Sequence, residues 1–328
     1  MPRQPAPPRA VVALGLVGLV GLLVGCSADV VPLAQPPVAT SAPAPSASAL
    51  PAADPTSPAP ITTAPSPPPA PVMDLRSRSI PPIPRPGEPV AAADNPGLAA
   101  QLVESARVIR DESAPPAALR AAAFRYQVAV RALVDAPARR EPTYAALPTD
   151  LRATVRSEVV AGAALRAMVR RPKAELPAWR IVAPAPAAEL LSHYRAAAAE
   201  FGVPWQHLAA INLVETRMGR IRGTSSAGAQ GPMQFMPATW RSYGEGDIHS
   251  NRDAIRAAAR YLRASGAPRN LRRAVYAYNH DDRYVDAVLR YAERMQRDPR
   301  AYHGYHAWQV YYVTVKGDVW LPEGFHGS

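Results

Sequence analysis

From residue 94 onward, apolar residues recur three or four apart in one segment after another, which is the spacing of a helix with one buried face. Asp94 and Asn95 ahead of Pro96 read as a helix start, and Leu98, Leu102, Ala106 and Ile109 follow in step. Leu119, Ala123, Tyr126, Val130 and Leu133 predict a second helix over 116–134. Leu151, Val155, Val159 and Leu165 predict a third from Thr149. After a connector from Pro172 to Pro186 that contains Trp179, a helix over 187–201 carries Leu190, Leu191, Tyr194, Ala198 and Phe201 on one side. A short helix over 237–243 follows later, then one capped by Asn251 with Ile255, Ala258, Ala259 and Leu262 inward, then two more over 271–278 and 284–295. The tail differs: 308–314 is rich in aromatic and β-branched residues, and Lys316, Gly317 and Asp318 separate it from Val319, Trp320 and Leu321, which predicts a β-hairpin.

One helix departs from this one-sided pattern. Leu208, Ala209, Ala210, Ile211, Leu213, Val214 and Met218 leave only a narrow stripe of Asn212, Glu215 and Thr216, with Arg217 roughly opposite. So apolar a helix is a buried one, and its lone carboxyl must face a polar partner or a cleft or keep its proton. Pro204 suits its first position and Gly219 its stop, so Glu215 sits in the last turn, where the negative end of the helix dipole raises a carboxyl pKa further. A carboxylic acid that stays protonated near neutral pH is what a general acid requires. Beyond it, Gly219, Gly223, Gly228 and Gly231, mixed with Ser225, Ser226 and Ala227, give a chain that can approach a polymer closely.

These residues resemble the soluble lytic transglycosylase family, relatives of goose-type lysozyme that cleave the glycan strands of peptidoglycan. The family's catalytic Glu followed by a small hydroxyl residue is matched by Glu215 and Thr216; its G-x-M-Q-x-x-P element by Gly231, Met233, Gln234 and Pro237; its A-Y-N element by Ala277, Tyr278 and Asn279. The wording GPMQFMP also resembles the membrane-bound lytic transglycosylase B type. Pro232 stands where Leu is usual, and His280, Asp281 and Asp282 replace a glycine-containing turn. The resemblance implies a lysozyme-like catalytic domain over 181–328, mainly α, with a helical subdomain over 94–180 beside it and the small C-terminal β-hairpin. It implies cleavage of the MurNAc-GlcNAc β-1,4 bond by Glu215 as single acid and base, with closure of a 1,6-anhydro ring and no second carboxylate. Thr216, Ser226, Gly228, Gln234, Tyr278 and Asn279 are then the substrate-binding candidates, each with a structural alternative: Asn279 also suits a helix end. Met233, Phe235 and Met236 are expected in the core. The alternatives are a muramidase hydrolysing the same bond and a non-catalytic peptidoglycan-binding lipoprotein.

Composition adds a second region. Arg3 and Arg9 precede an apolar run ending in Leu23, Val24, Gly25 and Cys26, which reads as a secretory signal over 1–25 and is too short for a comfortable membrane span. L-V-G-C resembles the lipobox of bacterial lipoproteins and marks Cys26, the chain's single cysteine, as a lipidation site. About half of the chain's 39 prolines fall between 27 and 93, so 26–93 is expected to be a disordered, semi-rigid tether, holding an exported enzyme to the outer face of the cytoplasmic membrane. The net charge of +11 rests on arginine, with lysine only at 173 and 316. An export signal argues against nucleic acid, leaving a polyanionic envelope or an ordinary solvated surface as the reading. The seven histidines are scattered, so no metal and no cofactor is expected, and the protein is expected to be monomeric. Glu245, Asp247, Asp253, Asp281 and Asp282 are the other acids near the motifs, with Asp247 and Asp253 expected to order a loop and a helix start. Tyr302, Tyr305 and Trp308 either stack on sugars or seal one edge of the core, the second being favoured.

Overall fold

The computed structural model describes residues 86–327; the signal segment, Cys26 and most of the proline-rich stretch lie outside the described residues. Where the chain becomes described it is already fastened: Tyr311 donates to Glu88 at 2.7 Å, and Ala92 N–H donates to Gln101 at 2.9 Å. Ordered contacts thus begin before Asp94, which composition alone made the start of the folded part.

Four helices come first: α1 (Asn95–Arg110), α2 (Pro116–Asp135), the short α3 (Arg140–Ala145) and α4 (Thr149–Ala167). Asp94 caps α1 by accepting from Gly97 N–H, as its side-chain type suggests. A single turn of 3₁₀ helix, Pro137–Arg139, leads into α3, and neither was legible, because six residues are too few to show a period. Next come β1 (Arg180–Ile181), α5 (Ala187–Phe201), α6 (Trp205–Thr216), β2 (Ile221–Arg222), α7 (Pro237–Tyr243) and α8 (Asn251–Ala264). The chain closes with α9 (Leu271–Tyr278), α10 (Asp282–Arg297), α11 (Arg300–Ala307), β3 (Val310–Thr314) and β4 (Gly317–Leu321).

The protein is mainly α, with β3 and β4 forming the expected antiparallel hairpin, Val310 opposite Leu321. Two caps differ from expectation. Ser250, not Asn251, caps α8, its hydroxyl accepting from Asp253 N–H, so Asn251 becomes the first helical residue. And α6 stops at Thr216, three residues short of Gly219, because Arg217 and Met218 both adopt left-handed backbone at φ 52° and 59°.

One core runs through all of this. Leu102, Val130, Leu133 and Val155 of the first helices belong to the same buried cluster as Leu208, Ile211, Val285 and Val288. Helix α6 lies at its centre, between α5 and α10, and α10 packs in turn on α4. Every residue of α6 from His207 to Thr216 is buried, as an all-round apolar helix must be. A smaller cluster of Ile181, Ile221, Val310, Tyr312 and Leu321 joins the two β pairs. Tyr302, Tyr305 and Trp308 are buried in the main core, which places them with the edge-sealing reading rather than on sugar faces.

Candidate active site

The site is built on the last turn of α6. Asn212, one turn before the end, takes the Tyr194 hydroxyl on Oδ1 at 2.5 Å and donates from Nδ2 to the Pro232 carbonyl at 2.7 Å. Thr216 donates to the same carbonyl at 2.6 Å, and accepts from Asn212 Nδ2 at 3.1 Å and from Gly219 N–H at 3.0 Å. Two non-glycine residues in left-handed backbone cost on the order of 1–2 kcal/mol each, and these bonds hold the turn closed against that cost. Thr216 is 0% exposed with its hydroxyl fully engaged, so it works inside the fold rather than against a sugar.

The Pro232 carbonyl belongs to a tight hairpin. Gln230 and Phe235 exchange both backbone hydrogen bonds at 2.9 Å, and Gln234 N–H donates to Gly231 O at 3.1 Å. Gly231 has φ +73°, and a Cβ there would lie 1.9 Å from the Ile248 carbonyl oxygen, so only glycine fits. Gln234, at φ 49°, donates from Nε2 to Gly231 O at 2.9 Å. Two openings meet at this hairpin. Gly231 lines a cavity of about 580 Å³ together with Arg180, Ile221, Arg222, Thr224 and His249. Gln234 lines a smaller one with Phe235, Met236, Tyr261 and Tyr278. Met233 and Phe235 are buried in the core, while Met236 is only half-buried and forms part of that second wall. Ser226 is exposed on the loop before the hairpin, and a Cβ on Gly228 would meet nothing within 4 Å, so this stretch faces open space.

Glu215 sits one layer behind the hairpin. It is 2% exposed, and its Oε1 accepts from the Tyr284 hydroxyl at 2.7 Å while Oε2 has no hydrogen-bond partner. Among the described residues no arginine pairs with it, so burial dominates and pushes the carboxyl up to about 8, the Tyr284 bond opposing only in part. Tyr278 lines the smaller cavity and lies near enough for its phenol to feel the Glu215 charge, yet its hydroxyl donates to Met233 O at 2.6 Å. Asn279 ends α9 and is 5% exposed, and its Nδ2 has no hydrogen-bond partner. Tyr284 was missed as a site residue: it is a buried tyrosine at an apolar helix position, and nothing in the sequence separates it from a core residue.

The remaining acids are committed elsewhere. Glu245 pairs with Arg256 and Arg260, which hold its carboxyl down to about 2. Asp253 accepts from Asp247 N–H at 3.1 Å, and Asp247 accepts from His249 N–H at 2.9 Å. Asp281 caps α10 by accepting from Arg283 N–H at 2.9 Å, and Asp282 pairs with Arg272 at 2.9 Å. The arrangement is therefore one proton-holding carboxyl near Tyr278, a wall residue of the smaller opening, without a free second carboxylate among these acids.

Residues 192–299 match the family model of the transglycosylase SLT domain, a span that begins inside α5 and ends just before α11. No curated protein and no solved structure matches the chain. Residues 192–299 thus belong with the transglycosylase SLT domains, which supports a peptidoglycan-degrading function of lytic transglycosylase type.

Proposed function

We propose that the protein is a peptidoglycan lytic transglycosylase that cleaves the MurNAc-GlcNAc β-1,4 bond with Glu215 as its single general acid and base. The observation that carries this reading is the Glu215 carboxyl, buried with no cation paired to it among the described residues, so that burial pushes it up to about 8. At neutral pH it holds a proton to give to the glycosidic oxygen, from the Oε2 that no protein group occupies. Once deprotonated, a carboxylate of that basicity takes the proton of the muramyl 6-hydroxyl far more readily than an ordinary one. The 6-hydroxyl then attacks the anomeric carbon within the same sugar, and intramolecular attack reaches effective molarities of about 10⁵ M or more, enough to outrun water. A conventional two-carboxylate mechanism would need a partner about 5 Å away or a little further, and the acids considered above are engaged in caps and ion pairs.

Gln234, at the smaller opening, and Ser226 and Gly228, on the loop before the hairpin, are the residues that would meet the glycan, with the buried Asn279 at the end of α9 as a further candidate. Tyr278 would orient the wall through its bond to Met233. Lipidation at Cys26 and attachment to the outer face of the membrane by the proline-rich segment complete the reading. Mass spectrometry of digested cell wall tests it: wild type is expected to leave 1,6-anhydro-muramyl ends, and Glu215→Gln none. Reducing ends would make the protein a muramidase, and undiminished product from Glu215→Gln would remove the acid from the mechanism.

A further inference from the structure

The buried cation Arg217 has no role in the chemistry above. It follows Glu215 by two residues, opens the left-handed turn, and is 6% exposed. Its guanidinium carbon lies 5.6 Å from the centre of the Trp308 ring, and its Nε and Nη1 have no hydrogen-bond partner among the described residues. The cations that act on it, Arg131 and Arg220, repel it, and the Tyr291 phenol acts the other way. Arg131 pairs with Asp318, a carboxylate it shares with Arg166, and Arg220 pairs with Glu323. Among the described residues Arg217 has no carboxylate partner, and burial first, then repulsion from Arg131 and Arg220, brings it down to about 10.

Arg217 lines a cavity of about 50 Å³, with Trp308 and Tyr291 beside it in the buried part and Arg131, Arg166 and Asp135 where it meets solvent. Arg166 pairs with Asp318 at 2.5 Å and Asp135 at 3.3 Å, so the mouth is close to neutral and the uncompensated charge sits at the floor. Buried charges are ordinarily paired, and a buried unpaired one costs several kcal/mol. The space exceeds that of one water and is too small for a sugar.

We propose that this cavity binds a small monoanion, a halide or the carboxylate of a small organic acid, with Arg217 Nε and Nη1 as the principal donors. One negative charge matches Arg217, the cation of this lining that has no carboxylate among the described residues, and the Tyr291 hydroxyl is a further donor in the same lining. The anion fastens the turn that follows Glu215 to the α2, α4 and hairpin residues that close the cavity. The site is independent of the proposed reaction and stands or falls separately.

The test uses the full chain at constant ionic strength, with sodium gluconate, too large for the cavity, replaced stepwise by chloride, bromide or acetate. The melting temperature is expected to rise by about 2–4 °C and saturate, and Arg217→Met is expected to lose the response. Saturation by the halides alone, or by acetate as well, identifies which monoanion the site accepts. Identical melting in all four salts, or a response that persists in Arg217→Met, overturns the proposal. Should that variant fail to fold, the chloride-35 NMR linewidth of wild type decides: saturable broadening reversed by bromide or acetate supports the site, and its absence overturns it.

Discussion

At the scale of single residues, the chemistry depends on what surrounds one carboxyl. Glu215 is raised to about 8 because it is buried, so its proton stabilises the folded state relative to an unfolded chain in which the group titrates in the ordinary range. That contribution is complete below about 4.5 and is lost as pH rises towards 8 and past it, so wild type weakens by a few kcal/mol across that window. Glu215→Gln keeps the shape and cannot ionise. Thermal melts are therefore expected to show the variant at least as stable as wild type at pH 9, with activity gone at every pH. The cleavage rate of wild type should fall on the alkaline side with a midpoint near 8, where the acid loses its proton. Tyr284 steadies the ionised form through its hydrogen bond, so Tyr284→Phe is expected to move that alkaline midpoint upward. It also leaves Oε1 without its donor, at a cost of about 1–3 kcal/mol. A merely structural tyrosine would lower stability and leave the pH profile where it was.

At the scale of elements, α6 and the 230–235 hairpin act as one unit through the Pro232 carbonyl, which Asn212 and Thr216 share. Gly231→Ala tests that unit. A methyl group 1.9 Å from the Ile248 carbonyl must push the hairpin away, and positive φ adds its own strain. The variant is expected to lose about 2–4 kcal/mol in denaturant melts and most of its activity, with the Glu215 side chain untouched. The sequence made much of this legible. The one-sided helices α1, α2, α4, α5, α8 and α10 carry enough turns for their periods to stand out, and the all-round apolar character of α6 announced its burial. The glycines and the resemblance pointed to the hairpin. What stayed hidden was set by contacts distant in sequence: the two left-handed residues after Thr216, the Tyr284 bond across 69 positions, and the use of the Thr216 hydroxyl inside the fold. The six-residue helix α3 carries too few turns to display a period.

At the scale of the whole molecule, the matched span 192–299 is not a self-sufficient core. Helix α10, which supplies Tyr284, packs against α4 from outside that span, and α11 packs on α1 and α2. Buried Glu158 of α4 ties these layers together, accepting from Tyr126 of α2 and Tyr305 of α11 at 2.6 Å each. Without α4, both tyrosine hydroxyls lose their acceptor inside the core, and Val285, Val288 and Ala292 of α10 lose part of their cover. Burial of a valine-sized side chain is worth about 1.5–3 kcal/mol, so removing the four helices α1 to α4 takes away more than a marginally stable domain has to spare. A chain beginning at residue 174 is therefore expected to aggregate or to lose near-ultraviolet circular dichroism and a cooperative melt, and with them cleavage of glycan strands. If that shortened chain melted cooperatively and still cleaved, residues 86–173 would be an appendage, and the common core would have no part in holding Tyr284 against Glu215.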